Sequence, residues 1–179
     1  MFEEYLQDSY HFLSLGDGFV AASNDREARR YYRASVFYAS GALEAFVNYI
    51  ANAFAEADSI TLHETSFLND KALVFSVDKG VVEKTEYHGA DDKLRLLMHK
   101  FVPVFDFQSL TWVNFMEFKR FRDSLVHPRQ ADDETAMAQY HKKVADGLRA
   151  IIQLMDTVSR GMFKQPLRRQ LLDLIPDSP

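Results

Sequence analysis

The stretch FRDSLVHP, Phe121–Pro128, puts an arginine, a carboxylate and a histidine in one short run. Each residue type has a distinct use. A histidine exchanges protons near neutral pH. A guanidinium grips an anion through parallel hydrogen bonds and stabilises charge that develops on it. A neighbouring carboxylate can orient either one. Arg122, Asp123 and His127 are therefore the candidate catalytic set.

Their setting is unusual for charged residues. At about 100° per residue, Trp112, Phe115, Met116, Phe118, Phe121, Leu125 and Val126 cover slightly more than half of a helical circumference, and Arg122 falls inside that apolar arc. A charge on a packed side needs a partner, because an unpaired buried charge is very costly. Three arrangements meet that need. Arg122 pairs with an acid across a bundle, and His127 merely ends a helix. Alternatively, the apolar face is shared with a second copy and Arg122 lines the seam. In the third, Arg122 and His127 form a catalytic pair. Glu44, near the edge of the apolar arc of an earlier helix, is the candidate structural partner for Arg122, with Asn48 one turn on. The alternative is a Glu44 that points to the rim of the core.

A second constellation is DREARRYYR, where Arg26, Arg29, Arg30 and Arg33 recur at helical spacing beside Tyr31 and Tyr32. Such a stripe could track an RNA backbone, with tyrosines for stacking. A solvated helix face paired with Asp25 and Glu27 is the commoner meaning of such a run. Lys119 and Arg129 flank the motif and would add to an RNA-binding surface. His11, His63, His88, His99, His127 and His141 show no metal-ligand spacing, and the chain has no P-loop, Rossmann glycine pattern or nucleophile elbow. No metal and no cofactor is expected.

These groups need a scaffold, and the composition points to helices. Of 179 residues, only 7 are Gly and 5 are Pro, while 15 are Phe. So few turn formers imply long elements and few loops. The chain has no cysteine, which excludes disulfides and fits a reducing compartment. MFEEYLQDS lacks the basic and apolar regions of a signal peptide, and no apolar run is long enough to span a membrane. A soluble, cytoplasmic protein is expected. The formal net charge of −5 argues against a surface coated with phosphate-binding residues, though not against a local basic groove.

The pattern predicts a first helix over residues 1–15, carrying Phe2, Leu6, Tyr10 and Leu13 and broken by LGDG. A long helix from Asp25 to Ala57 follows, capped by Asn24 or Asp25, with Val36, Phe37, Leu43, Phe46, Val47, Ile50 and Phe54 on its apolar face. SFLNDKAL reads as a short helix, and LVFSV–DKG–VVEKTEY as a small hairpin. ADDKLRLLMHKF is a helix stopped by Pro103; the next helix starts at Ser109 or Thr111 and ends before Pro128. A long helix capped by Asp132 or Asp133 and ended near Gly161 comes after, then a short one in PLRRQLLDLI and a frayed PDSP tail. The expected fold is all-α: a single domain, 1–179, built as a bundle of about four to six helices with a possible β-hairpin insertion around 73–87.

RDSLVH, Arg122–His127, resembles the Arg-x4-6-His signature of HEPN domains, in which a polar residue such as Asp123 often follows the arginine. The aromatic helix FMEFKRFRDSLVHP and the earlier ASGALEAFVNYIANAF fit the same pattern, so the likeness spans about residues 25–160. The resemblance implies an α-helical bundle that dimerises. It also implies a metal-independent endoribonuclease, of the kind found in toxin–antitoxin, anti-phage and RNA-processing systems, whose two motifs meet in one cleft at the dimer interface. RNA, a second copy of the chain, and an antitoxin or operon partner protein would be its partners. Carried over, His127 would be the general acid/base and Arg122 would hold the scissile phosphate, with Asp123 orienting one of them. A tyrosine that often follows the histidine in such toxins is absent, since Pro128, Arg129 and Gln130 stand there. Other members of the family only bind nucleotides or act as scaffolds, so a non-catalytic helical module is the alternative.

Overall fold

A computed structural model describes residues 1–55, 60–127 and 137–176. The described residues form a helical bundle with one small hairpin. In chain order the elements are α1 (Phe2–Ala21), α2 (Asp25–Ala55), α3 (Leu62–Leu68), β1 (Lys71–Ser76), β2 (Gly80–Thr85), α4 (Ala90–Phe101), α5 (Leu110–Val126), α6 (Met137–Phe163) and α7 (Arg169–Leu172). α1 lies antiparallel along α2, and α6 packs on both α2 and α5. Leu6, Val36, Phe46, Ile50 and Phe54 meet Leu148, Ile151 and Ile152 of α6 in the buried core. No helix among the described residues is long and apolar enough to cross a membrane.

The helix starts follow local chemistry. Asn24 Oδ1 accepts from the Glu27 N–H at 3.3 Å and opens α2. Thr61 and Glu64 form a capping box on α3. Ser109, rather than Thr111, caps α5 by accepting from the Trp112 N–H at 3.4 Å. Two expected caps, Asp132 and Asp133, lie outside the described residues, as do the last two residues expected for α2 and positions 177–179 of the tail.

The first helix does not stop at LGDG. It runs on to Ala21, because Gly16 is a contact residue and not a breaker: a Cβ there would collide with the Tyr32 ring. The missing side chain lets α1 and α2 approach, and Asp17 then accepts a 2.7 Å hydrogen bond from the Tyr32 hydroxyl. Burial, and after it this bond, push the Tyr32 phenol well above its ordinary range. His141 Nε2 of α6 lies 3.2 Å from the same Asp17 oxygen, so one carboxylate ties three helices. α6 ends at Phe163, close to the expected end near Gly161, but the glycine is not what stops it: Gly161 sits in the last turn, where a Cβ would lie 2.7 Å from the Phe101 carbonyl oxygen, and the left-handed residue after the helix is Lys164, φ 58°. Phe37 and Tyr10, expected on apolar faces, are exposed at 45% and 36%.

The hairpin pairs β1 with β2 antiparallel, Val74 opposite Val82 and Ser76 opposite Gly80, and Gly80 takes the positive φ of 72° that its turn requires. Its base is clamped by Asp70, itself at φ 57°, a conformation that aspartate tolerates. The Asp70 carboxylate accepts from the His88 N–H at 2.9 Å and from Lys93 Nζ at 2.8 Å.

Candidate functional site

The aromatic side of α5 sets the position of the motif. Trp112, Phe115, Phe118 and Phe121 are buried. Phe118 rests on Gly147 of α6 so closely that no Cβ could fit between them, and Phe121 meets the Tyr140 ring edge-on at 4.8 Å. These contacts fix the rotation of α5 and, with it, the direction in which Arg122 points. The helix ends at Val126. His127 follows at φ −122°, ψ 67°, its N–H donating to the Asp123 carbonyl at 2.9 Å.

Arg122 is half-buried on a wall of a cavity of about 320 Å³, enclosed by α2, α4, α5 and the segment after the hairpin. Its Nη1 lies 3.2 Å from Asp123 Oδ1. Glu44 and Asn48 line the same cavity as Arg122. The expected Glu44–Arg122 ion pair is not formed, however, since the arginine's carboxylate partner is Asp123. His127 is exposed and does not line this cavity. Five residues along a helix turn a side chain by about 140°, so Arg122 and His127 leave α5 in different directions.

Neither family models nor curated proteins nor solved structures yield a match to the chain.

Lys119 projects into the same cavity and is held by Asp91 Oδ2 at 2.7 Å. Arg26, Arg30 and Arg33 are exposed on α2, whereas Arg29 lies with its guanidinium 5.5 Å above the Tyr140 ring. The tyrosines beside them are not stacking platforms. Tyr31 is packed between Phe12 and Phe19, and Tyr32 is buried against α1. Arg129 lies outside the described residues.

Several cavity residues escaped the sequence reading. Lys93 is 5% exposed and held by Asp70. Burial alone would raise the Asp70 carboxyl, but the hydrogen bonds from Lys93 and His88 leave it below its ordinary value. The His88 ring stacks on Phe67 at 4.0 Å, with a buried Nε2 that has no hydrogen-bond partner among the described residues. Tyr87 borders the mouth at 87% exposure. The only available sequence signal was the Asn69–Asp70 turn pair before the hairpin.

Proposed function

We propose that the chain is a metal-independent endoribonuclease of the HEPN type that acts as a homodimer, with toxin–antitoxin or defence systems as its setting. The observation that carries this reading is the position of the motif at one accessible end of α5. Arg122 stands on a cavity wall and His127 is exposed at the helix terminus. In one chain the two side chains diverge, which is the situation that a second copy resolves. Val126 beside them is 45% exposed, an apolar surface that a second copy would cover.

In such a cleft His127 takes the proton from a ribose 2′-hydroxyl as that oxygen attacks the neighbouring phosphorus. The 5′-oxygen leaves, receiving a proton from the second histidine. A 2′,3′-cyclic phosphate and a 5′-hydroxyl result. Arg122 holds the non-bridging oxygens as their charge rises, and Asp123 fixes the guanidinium plane.

The test is RNA cleavage in EDTA by the wild-type chain and by His127→Ala. The wild type is expected to leave 2′,3′-cyclic ends, and the variant to lose at least about 100-fold in rate. Cleavage by neither, with both folded and dimeric, would favour a non-catalytic dimerisation or partner-binding scaffold. One observation supports that second reading: Arg122 is already engaged by the adjacent Asp123.

A further inference from the structure

The exposed arginines of α2 and the polar wall of the cavity form one stripe. Counted at about 100° per residue, Arg26, Arg30, Arg33, Phe37, Ser40, Glu44 and Asn48 all lie within about 40° of a single line along the helix. At one end Arg26, Arg30 and Arg33 are exposed; at the other Ser40, Glu44 and Asn48 line the cavity. Arg30 is met by Glu27 at 2.8 Å, while Arg26 and Arg33 have no ion-pair partner among the described residues. Phe37 stands between the two halves and is 45% exposed. At about 1.5 Å per residue the stripe from Arg26 to Asn48 is about 33 Å long, enough for several nucleotides of an extended strand.

We propose that this stripe is the track of a single-stranded RNA, and that the cavity at its end takes one base bearing an exocyclic amino group, recognised by Glu44. The choice of polymer rests on the ribonuclease reading above; the base preference extends it to specificity. The charges divide the work. Outside the cavity, unpaired guanidiniums suit phosphates, and the exposed Phe37 ring suits a stacked base. Inside, each cation already has a carboxylate: Lys93 has Asp70, Lys119 has Asp91, and Arg122 has Asp123. Glu44 is the one lining carboxylate without a partner among the described residues. The cavity therefore offers an acceptor, not a surplus of positive charge. A carboxylate accepts from the amino group of adenine, cytosine or guanine, and Asn48 one turn on supplies a donor for a ring acceptor. Uracil carries the O4 carbonyl where cytosine carries its amino group, so it lacks the exocyclic donor and sets an oxygen against the carboxylate; its one donor on that edge is the ring N3–H. Tyr87 at the mouth gives that base a face on which to stack.

The test measures binding without cleavage. Labelled single-stranded 2′-O-methyl RNA hexamers of adenosine, cytidine or uridine, which cannot be cut through the 2′-oxygen, are titrated into the full chain by fluorescence anisotropy at several salt concentrations. The adenosine and cytidine hexamers are expected to bind about tenfold tighter than the uridine hexamer. Glu44→Gln brings the three within about twofold. Phe37→Ala weakens all three about fivefold or more, and Arg33→Ala lowers the salt slope by about one. Each substituted side chain is on the surface, and circular dichroism verifies that the fold is kept. Equal binding of the three hexamers, or a preference that survives Glu44→Gln, overturns the base recognition. Binding without salt dependence, or no binding, overturns the track. A base preference as expected, together with no cleavage of unmodified RNA, removes the ribonuclease reading and leaves this one standing; cleavage without base preference does the reverse.

Discussion

Along one side of α2, Gly16 of α1 leaves room for the Tyr32 ring and for nothing else, and the Ser9 hydroxyl meets the Ser35 carbonyl at 2.9 Å in a buried contact. Along the cavity side, the neighbours are held by charges: Lys93 to Asp70 and Lys119 to Asp91, with Lys100 of α4 bound to Glu64 of α3 outside the cavity lining. The first side is mainly a shape fit, with one carboxylate, Asp17, bonded to the Tyr32 hydroxyl at its end. The second is a set of ion pairs around an open space. Close packing tolerates little change of volume, whereas ion pairs tolerate changes of shape but respond to proton concentration and salt. A cavity that must admit a polar ligand is better built from the second material, because its walls keep their geometry without filling the void.

Three perturbations test that contrast. Gly16→Ala should be the most damaging, since its methyl group must displace the Tyr32 ring and push α1 off α2. A loss of about 3 kcal/mol is expected, measured as a lower urea midpoint. Lys93→Ala comes next. It leaves Asp70 without its cation in a partly shielded position, with side-chain exposure of 33% for the aspartate. About 2 kcal/mol is expected, below the cost of breaking a fully buried pair. A larger loss from Lys93→Ala than from Gly16→Ala would show that charge, not packing, dominates the fold, and the contrast would fail. The mildest perturbation is acid. Asp70 and Glu64 both titrate below their ordinary values of 3.8 and 4.5. Lys100 is the main cause for Glu64; at Asp70, burial opposes the shift and the bonds from Lys93 and His88 outweigh it. Groups with depressed folded values stabilise above their unfolded pKa, and that stability is lost as pH falls through the folded value. Below about pH 4.5, amide exchange corrected for its intrinsic pH dependence should rise in β1, β2 and the start of α4 before it rises in α1 and α2. Simultaneous loosening of both regions would erase the distinction.

The bundle was legible because its cues are local. Asn24, Ser109 and Gly80 each act within a few residues of where they stand, and the apolar periodicity of α2 and α5 repeats over many turns. The errors came where a residue answers to something distant. Gly16 in LGDG looks like a breaker until Tyr32 is brought against it from α2. Phe37 looks like core by type, but its angle on α2 is that of Arg33 and Glu44. At the site, the motif and Glu44 could be found from spacing on their own helices. The cavity could not, because Asp70, Tyr87 and Lys93 reach it only through the fold of the hairpin. Of the alternatives open for Arg122, the partner found is the adjacent Asp123 and not an acid across the bundle.

The hairpin has a consequence for how the protein behaves in concentrated solution. A ribbon of two strands has no interior strand, so β1 and β2 each keep one row of backbone donors and acceptors open. Phe75 and Val81, opposite each other, are 74% and 64% exposed, and Val77 at the tip is 91% exposed. Open rows beside apolar side chains are templates on which another strand can add. The same six-residue strands carry Lys71, Lys84 and Glu83, with Lys79 in the turn, and all four are exposed. Any strand that adds to either edge must bring its own backbone up against this fence of charge, so the lysines act as guards against self-association where the fold itself offers no cover.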